Sequence, residues 1–439
     1  MEGKKIVILG GGESGVGAAL LAKKKGFEVF VSDKGKIAEK FKNELLKNSI
    51  PYEESWHTWE RIVAADLVIK SPGIPEKAPV VKKLLGMGKP VISEIEFASR
   101  YVKGTVVGIT GSNGKTTTTL LIGHLLKTAG LDVTVAGNIG KSFARCLTEK
   151  MTEYWVLELS SFQLDGIVEF RPDVALLLNI TPDHLDRYEN EMSNYIRSKF
   201  RITMNQDSKD VFCYNMDDRD ITDYLENNPS KAQAKGISME MVKGHKFVLE
   251  GSEFDLGESS LRGIHNVMNA AFATYAAKRC GVADKIIGKA LKTFVPLAHR
   301  LESFATINGI EYVNDSKATN IDAVYYGLHA MEKPVVWIVG GQDKGNDYHR
   351  LFDLVEEKVK AIVCMGVDNY KLLDAFLPFG IPIVETRSAG EAVRAATGFA
   401  EQGDVVLLSP ACASFDLFNN YEDRGNQFRN QVLKLKERN

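Results

Sequence analysis

The sequence predicts an α/β protein of three domains. Three observations point there: short apolar runs that do not alternate, helix-period segments between them, and two glycine-rich turns each placed between a strand and a helix. The chain has 439 residues, room for about three domains at the usual ~100–200 residues each. The runs "KIVILG", "EVFVSD", "LVIKSPG", "TVVGIT", "YWVLEL", "VALLLNI", "VVWIVGG", "AIVCMG" and "VVLLSP" are mostly apolar throughout. Strands of a parallel sheet covered on both faces have that pattern. Between several of them lie amphipathic stretches, such as Thr116 to Ala129 with Leu120, Leu121, Leu125 and Leu126 on one side, and this alternation specifies α/β.

The blocks divide at 1–93, 94–298 and 299–439. The first opens with strand, glycine turn and helix. Its "GGGESG", Gly10 to Gly15, fits G-x-G-x-x-G, and Asp33 ends the next strand. Glycines let the backbone approach a pyrophosphate, and the helix start offers free N–H groups. By itself this spacing is compatible with a nicotinamide or flavin cofactor, with another diphosphate-bearing ligand, or with a tight packing turn. The second block carries "GITGSNGKTTT". Lys115 is placed to reach the β/γ-phosphates of a nucleotide, and the Thr116 hydroxyl to meet Mg²⁺. Ile109 stands where the common pattern G-x-x-x-x-G-K-[ST] has glycine. The polar stretch Asp207 to Ser260 is expected to form a peripheral sheet. The third block contains three further strand-like runs.

Composition narrows the function classes. Lys plus Arg number 55 against 57 Asp plus Glu, which argues against a nucleic-acid wrapper or a polybasic membrane binder. Five scattered cysteines with no CxxC pair read as reduced thiols of a cytoplasmic protein. "MEGKKIVILGGG" does not read as a signal peptide, and no apolar stretch approaches the ~20 residues of a membrane span.

Polar segments follow several of the strand-like runs, where α/β proteins place their ligands. "GNIG" presents Asn138, "LELSSFQL" presents Glu158, Ser160 and Ser161, and "NITPDHLDRY" presents His184. Glu158 is a candidate Mg²⁺ ligand, because Mg²⁺ prefers hard oxygen donors. "YENEMSNYIRSKFRIT" reads as a helix with Tyr195 and Lys199 one turn apart, and "HNVMNA" starts another with His265, Asn266 and Asn269. The third block offers Asp315, Lys317 and Thr319 in "NDSKATN", Lys344 in "GGQDKGND", and Ser414, Phe415 and Tyr421 in "SPACASFDLFNNYEDRGNQF". Each has an ordinary reading as a cap, loop or solvated residue. Two cationic turns suit an anionic substrate.

Together these motifs resemble the Mur ligases, ATP-dependent amide-bond ligases of cell-wall precursor synthesis, over essentially the whole chain. "ELSSFQL" with "DSKATN" and "SPACASFDLFNNYEDRG" resembles the branch that adds D-glutamate; the D-x-P-R motif of the diamino-acid-adding branch does not occur. The resemblance implies a Rossmann-like first domain that binds the UDP part of the substrate and not NAD, a P-loop ATPase-like central domain, and a Rossmann-like third domain closing over ATP and the amino acid. It implies a loop variant that accounts for Ile109. The resemblance implies UDP-N-acetylmuramoyl-L-alanine and D-glutamate as substrates, ATP and two Mg²⁺ as cofactors, and a monomeric cytoplasmic enzyme with no nucleic-acid partner and no membrane insertion.

Carried over by residue, Gly111, Ser112, Asn113, Gly114, Lys115, Thr116 and Thr117 hold ATP. Asn269, Arg300 and Asp315 hold its adenosine and phosphates. Thr116, Glu158, His184 and Lys199 form the metal region, with Lys199 carbamylated, and Lys115, His184, Lys199 and Glu158 are the catalytic set. Ser14, Asp33, Lys34, Ser71, Gly73, Asn138 and Ser160 meet the nucleotide-sugar substrate. Lys317, Thr319, Lys344, Ser414, Phe415 and Tyr421 belong to substrate binding, with D-glutamate held mainly by the first five. The side chain of Glu13, acidic beside a diphosphate turn, is expected to point away. The competing readings are folylpolyglutamate synthase, disfavoured by the additional N-terminal domain, and an NAD-dependent oxidoreductase with a regulatory P-loop module.

Overall fold

The computed structural model of the chain describes residues 3–436. The non-alternating runs become strands with both faces covered, and they form three α/β sheets.

In the first sheet β1 (Lys5–Leu9), β2 (Glu28–Asp33), β3 (Tyr52–Glu54), β4 (Leu67–Lys70) and β5 (Val91–Ser93) lie parallel in the order β3-β2-β1-β4-β5. The order reverses between β1 and β4, so their carboxyl ends open a crevice, the usual ligand position of such sheets. The glycine turn follows β1 there and leads into the helix Glu13–Lys24.

The second sheet is also parallel. Its strands β6 (Thr105–Thr110), β7 (Val133–Gly137), β8 (Tyr154–Glu158), β9 (Val174–Leu177), β10 (Val211–Asn215) and β11 (Gln233–Ile237) run β11-β10-β9-β6-β8-β7. Strand β6 lies between β8 and β9, and its turn starts the helix Lys115–Thr128. In that helix Leu121, Leu125 and Leu126 are buried, and Leu120 is half-buried. The stretch 207–260 departs from expectation: β10 and β11 extend the main sheet. Only β12 (Val242–Lys243), β13 (Lys246–Leu249) and β14 (Ser252–Asp255) form a separate antiparallel sheet.

The third sheet contains six strands where three runs were predicted. They are β15 (Glu302–Ile307), β16 (Ile310–Asn314), β17 (Val335–Val339), β18 (Val359–Met365), β19 (Ile383–Thr386) and β20 (Val405–Leu408), in the order β15-β16-β20-β17-β18-β19. Strands β15 and β16 form an antiparallel hairpin, and the remaining pairs are parallel.

By contacts the chain forms two compact units. One comprises Met1–Asp255 with Met268–Lys292 and contains the first two sheets; the other comprises Leu256–Val267 with Thr293–Asn439. Among the described residues no helix is long and apolar enough to cross a membrane.

Candidate functional site

The loop after β6 is preformed by the main chain. Gly114 has φ +80°, and a Cβ there would lie 2.4 Å from Asn269 Oδ1, so glycine is required both by conformation and by space. The same contact brings Asn269 to the loop. Asn179 holds the loop from outside: its Oδ1 accepts from Asn113 N at 2.8 Å, its Nδ2 donates to Asn113 O at 3.1 Å, and its carbonyl accepts from Ser112 N at 2.9 Å. The Ser112 hydroxyl donates to Thr181 O at 2.9 Å and lies 3.1 Å from the Tyr195 hydroxyl. Lys115 curls over its own turn and donates to Gly111 O and Ser112 O at 2.7 and 2.8 Å. The ammonium is thus held on the loop's own carbonyls, and Thr116, next in the chain, is buried. Ile109 is a buried strand residue opposite Glu158.

Glu158 ends β8 and is buried. Its Oε1 accepts from Asn138 Nδ2 at 2.9 Å, and Asn138 N donates to Glu158 O at 2.8 Å. Its Oε2 is buried with no hydrogen-bond partner, a costly state for a carboxylate oxygen unless a cation completes it. Lys199 lies on the helix Met192–Phe200, 1 % exposed, with Nζ 4.6 Å from the centre of the Tyr195 ring. Burial, and next the charge of Lys115, push its pKa well below the ordinary lysine value, against Asp183 and Asp165. A buried lysine in that position favours its neutral amine. His184 has φ +53°, and its ring lies 5.3 Å from that of Phe162. Its Nε2 is 3.6 Å from the Asp183 carboxylate. Ser160 caps the helix Ser161–Leu164 in a capping box with Gln163. Among the described residues no group of three or more His, Cys, Asp or Glu side chains forms a metal cluster; the predicted metal set contains only two side chains of those types.

In the first sheet Asp33 serves its own turn. Its Oδ2 accepts from Gly11 N at 2.6 Å and its Oδ1 from Gly35 N at 2.7 Å. Ser14 lies in the first turn of the following helix, and Ser71 Oγ is 3.5 Å from Gly10 O. Glu13 is engaged by Arg145 and Ser142, as its expected turn away from the glycine loop requires.

In the second unit the loops at the carboxyl ends of β16, β17 and β20 are knitted together. Asp315 N donates to Leu408 O, Ala411 N to Ala318 O and Gly340 N to Pro410 O, and Gln342 bridges to Ala413. Asp315 is buried; burial pushes its carboxyl up to about 7, against hydrogen bonds from Ser409 and Leu301 N and the charge of Arg300. Arg300 lies between His299 at φ +68° and Leu301 at φ +45°, a strained stretch of a kind that collects at functional positions. Lys317 Nζ stands 3.7 Å over the Tyr421 ring. Ser414 is buried, Thr319 is half-buried, and Lys344 and Phe415 are exposed. Arg424 sits beneath these loops, 1 % exposed. Its guanidinium donates to Ser316 Oγ and O, Gly340 O and Cys412 O at 2.9–3.4 Å.

Three family models cover most of the chain: one described as the MurD N-terminal domain matches residues 5–80, the Mur ligase middle domain 109–277, and the Mur ligase glutamate ligase domain 299–412. A relative from Christiangramia forsetii is 51 % identical, over 99 % of this chain and 100 % of its own. The chain belongs to the Mur ligase family. That relative, and one from Bacteroides fragilis at 49 % identity over 98 % of this chain and 100 % of its own, are named UDP-N-acetylmuramoylalanine–D-glutamate ligase. Among solved structures, a UDP-N-acetylmuramate–alanine ligase from Thermotoga maritima shares the fold, with TM-score 0.62 and 19 % identity over 99 % of this chain and 100 % of that one.

Several residues outside the predicted set hold the candidate site of this Mur ligase together. Asn179 and Thr181 hold the phosphate loop, and their signal was their place directly after a strand, in the segment quoted for His184. Asp183 and Asp165 act on Lys199 through charge. Arg424 had no signal beyond lying within a quoted motif, because its role depends on backbone carbonyls far away in sequence. A cavity of about 830 Å³ is lined by Asp165 and Phe162, which adjoin the Lys199 and His184 region, and among others by Lys70, Arg187, Tyr188 and Tyr224. None of the predicted site residues lines it.

Proposed function

We propose that this chain is an ATP-dependent ligase that joins D-glutamate to UDP-N-acetylmuramoyl-L-alanine. The end-to-end match to relatives bearing that activity in their names carries the reading. Amide formation from a carboxylate in water is uphill, and a carboxylate is a poor electrophile. Transfer of the γ-phosphoryl of ATP to the substrate carboxylate gives an acyl phosphate with a good leaving group. The amine of D-glutamate attacks, and the tetrahedral intermediate collapses to amide and phosphate. Charge crowds the first step, so positioning and electrostatics account for most of the catalysis. Lys115, which donates to the loop carbonyls of Gly111 and Ser112, is read as the group that meets the transferring phosphoryl.

Mg²⁺ fits the residues present. The unpartnered Glu158 Oε2 and the Thr116 hydroxyl are hard oxygen donors, and the ion when bound would offset phosphate charge. Lys199 is read as a carbamate: its amine adds to CO₂ and loses a proton, giving oxygens where an ammonium has none. The burial and lowered pKa of Lys199 support this. Lys199→Ala should lose activity and regain part of it with a short carboxylic acid. A diffraction map showing a plain ammonium in fully active, Mg²⁺-loaded enzyme would sink the carbamate. His184 is read as part of the same region, and Asn138 with Ser14, Asp33, Lys34, Ser71, Gly73 and Ser160 as the nucleotide-sugar site. Asn269, Arg300 and Asp315 are read as contacts to adenosine and phosphates.

D-glutamate brings two carboxylates, which a dry pocket must pair. Lys317, Thr319, Lys344, Ser414 and the N–H of Phe415 are the proposed partners, with Tyr421 beneath Lys317. The test is to incubate the protein with ATP, Mg²⁺, UDP-N-acetylmuramoyl-L-alanine and an amino acid, and to follow ADP and the new amide. D-glutamate, L-glutamate, L-alanine and meso-diaminopimelate are compared as acceptors. Equal use of another acceptor removes D-glutamate and leaves the ligase chemistry standing. Lys344→Ala is expected to raise KM for D-glutamate far more than KM for ATP.

A further inference from the structure

Helix Glu13–Lys24 of the first sheet and helix Phe143–Glu149 of the second are locked together within one compact unit. Glu13 follows directly on the glycine turn. Its Oε1 accepts from Ser142 N at 3.0 Å and from Arg145 Nε at 2.7 Å. The rest of the Arg145 guanidinium is paired with Glu44. Burial works to raise the pKa of Glu13, but the bonds from Arg145 and Ser142 outweigh it and hold the carboxyl below its ordinary value. The helices approach so closely that a Cβ on Gly17 would lie 2.0 Å from Ser142 Oγ. Lys24 Nζ donates to Thr148 O at 2.7 Å, and buried Glu94 accepts from Ala144 N at 2.5 Å.

Ser142 ends the loop that begins at Asn138. Asn138 is fixed by Glu158, and Ser142 is fixed by Glu13. The loop is therefore tied at one end to the end of β8 and at the other to the first residue after the glycine turn. An acidic side chain beside a diphosphate site is unfavourable by charge alone, and Arg145 offsets that charge.

We propose that Glu13 is a positioning residue: by holding Ser142 and Arg145 it sets the spacing between the glycine turn and the Asn138 loop, so that one long substrate engages both. This rests on the reading that the turn takes the UDP moiety and Asn138 the sugar side. A ligand confined to the turn is indifferent to that spacing, whereas a ligand spanning both elements depends on it.

The experiment is calorimetric binding of UDP and of UDP-N-acetylmuramoyl-L-alanine to the wild-type protein, Glu13→Ala, Glu13→Gln and Arg145→Met, with melting temperatures and steady-state kinetics. Glu13→Ala is expected to weaken the full substrate by about tenfold or more while UDP changes by less than about twofold, as for a bivalent ligand whose sites lose register. KM for ATP stays unchanged. Glu13→Gln, which keeps an oxygen for Ser142 N, recovers most of the loss. Arg145→Met weakens the full substrate alone, and combining Arg145→Met with Glu13→Ala in one protein is no worse than either single change. Equal weakening of both ligands, or losses that track melting temperature without the KM split, overturn the role of Glu13. Failure of the wild-type protein to bind either ligand removes the substrate reading itself, and the proposal with it.

Discussion

The first compact unit contains two glycine turns of similar outline and opposite chemistry. Both follow the central strand of a parallel sheet and start a helix. After β1 the turn is followed by an acid, Glu13, held by Arg145, and the N–H of Gly11 is taken by the Asp33 carboxylate. After β6 the turn is followed by Lys115, which lies over the turn's own carbonyls, and the outer side of the loop is held by a neutral amide, Asn179. The glycines fix only a backbone able to approach phosphate. The two turns differ in the charge of the next residue and in what holds the loop. A positive charge on the turn's own carbonyls suits a phosphoryl group in motion. A turn whose nearby charges are already paired suits a diphosphate that only needs to be bound.

Changes to the second turn should therefore act on chemistry, and changes to the first on binding. The largest effect is expected for Lys115→Ala, about 10²–10³ in kcat (~2.7–4 kcal/mol), the usual cost of losing a charge-stabilising donor. Steady-state ligation by a variant with a wild-type circular dichroism spectrum measures it; near-normal turnover would break the comparison. Gly114→Ala comes next, at about 1–3 kcal/mol for a side chain at positive φ, plus displacement of Asn269. ATP affinity and melting temperature should fall together. Asp33→Asn replaces an acceptor of the Gly11 N–H and should cost about 1.5–3 kcal/mol, read as a raised KM for the UDP substrate at constant KM for ATP. The smallest effect belongs to Gly12→Ala. Gly12 has φ −86°, and a Cβ there meets nothing within 4 Å, so stability should stay within about 0.5 kcal/mol. Weakened substrate binding in that stable variant identifies Gly12 as a glycine kept for its ligand; unchanged binding would show that no ligand comes close to it.

The sequence was legible where strands are covered on both faces. All nine quoted apolar runs contain strands, and both glycine turns lie where their flanking patterns placed them. Strands β11, β15 and β19 were missed because edge strands bury one face at most: Gln233 and Ala234 of β11 are exposed, and β15 and β19 are largely half-exposed; β10, interior but short and half-buried at three of five positions, was missed with them. The helix expected over "YENEMSNYIRSKFRIT" begins only at Met192, after a 3₁₀ turn at Leu185–Arg187 and positive φ at Glu189 and Asn190. In the proposed site, the residues that the sequence singled out, Lys115, Glu158 and Lys199, are ones with chemistry of their own. The residues that hold them were not legible. Asn179 acts on a backbone group 66 positions away and Arg424 on carbonyls 12, 84 and 108 positions away, and no local pattern encodes such a pairing.

The position of β20 has a consequence for the order in which the protein is made. It lies between β16 and β17, yet it follows β16 by some ninety residues of synthesis. At the ~5–20 residues per second of translation, the hairpin β15–β16 waits for roughly 5–20 seconds and the β17–β18–β19 group, complete at Thr386, for roughly 1–4 seconds, each with its facing edge unpaired. Arg424, which ties the loops of β16, β17 and β20, emerges later still. The nascent third sheet is thus an exposed template for another chain, and its assembly waits for a segment of about thirty residues, from Val405 onward, that supplies both the missing strand and the arginine beneath it.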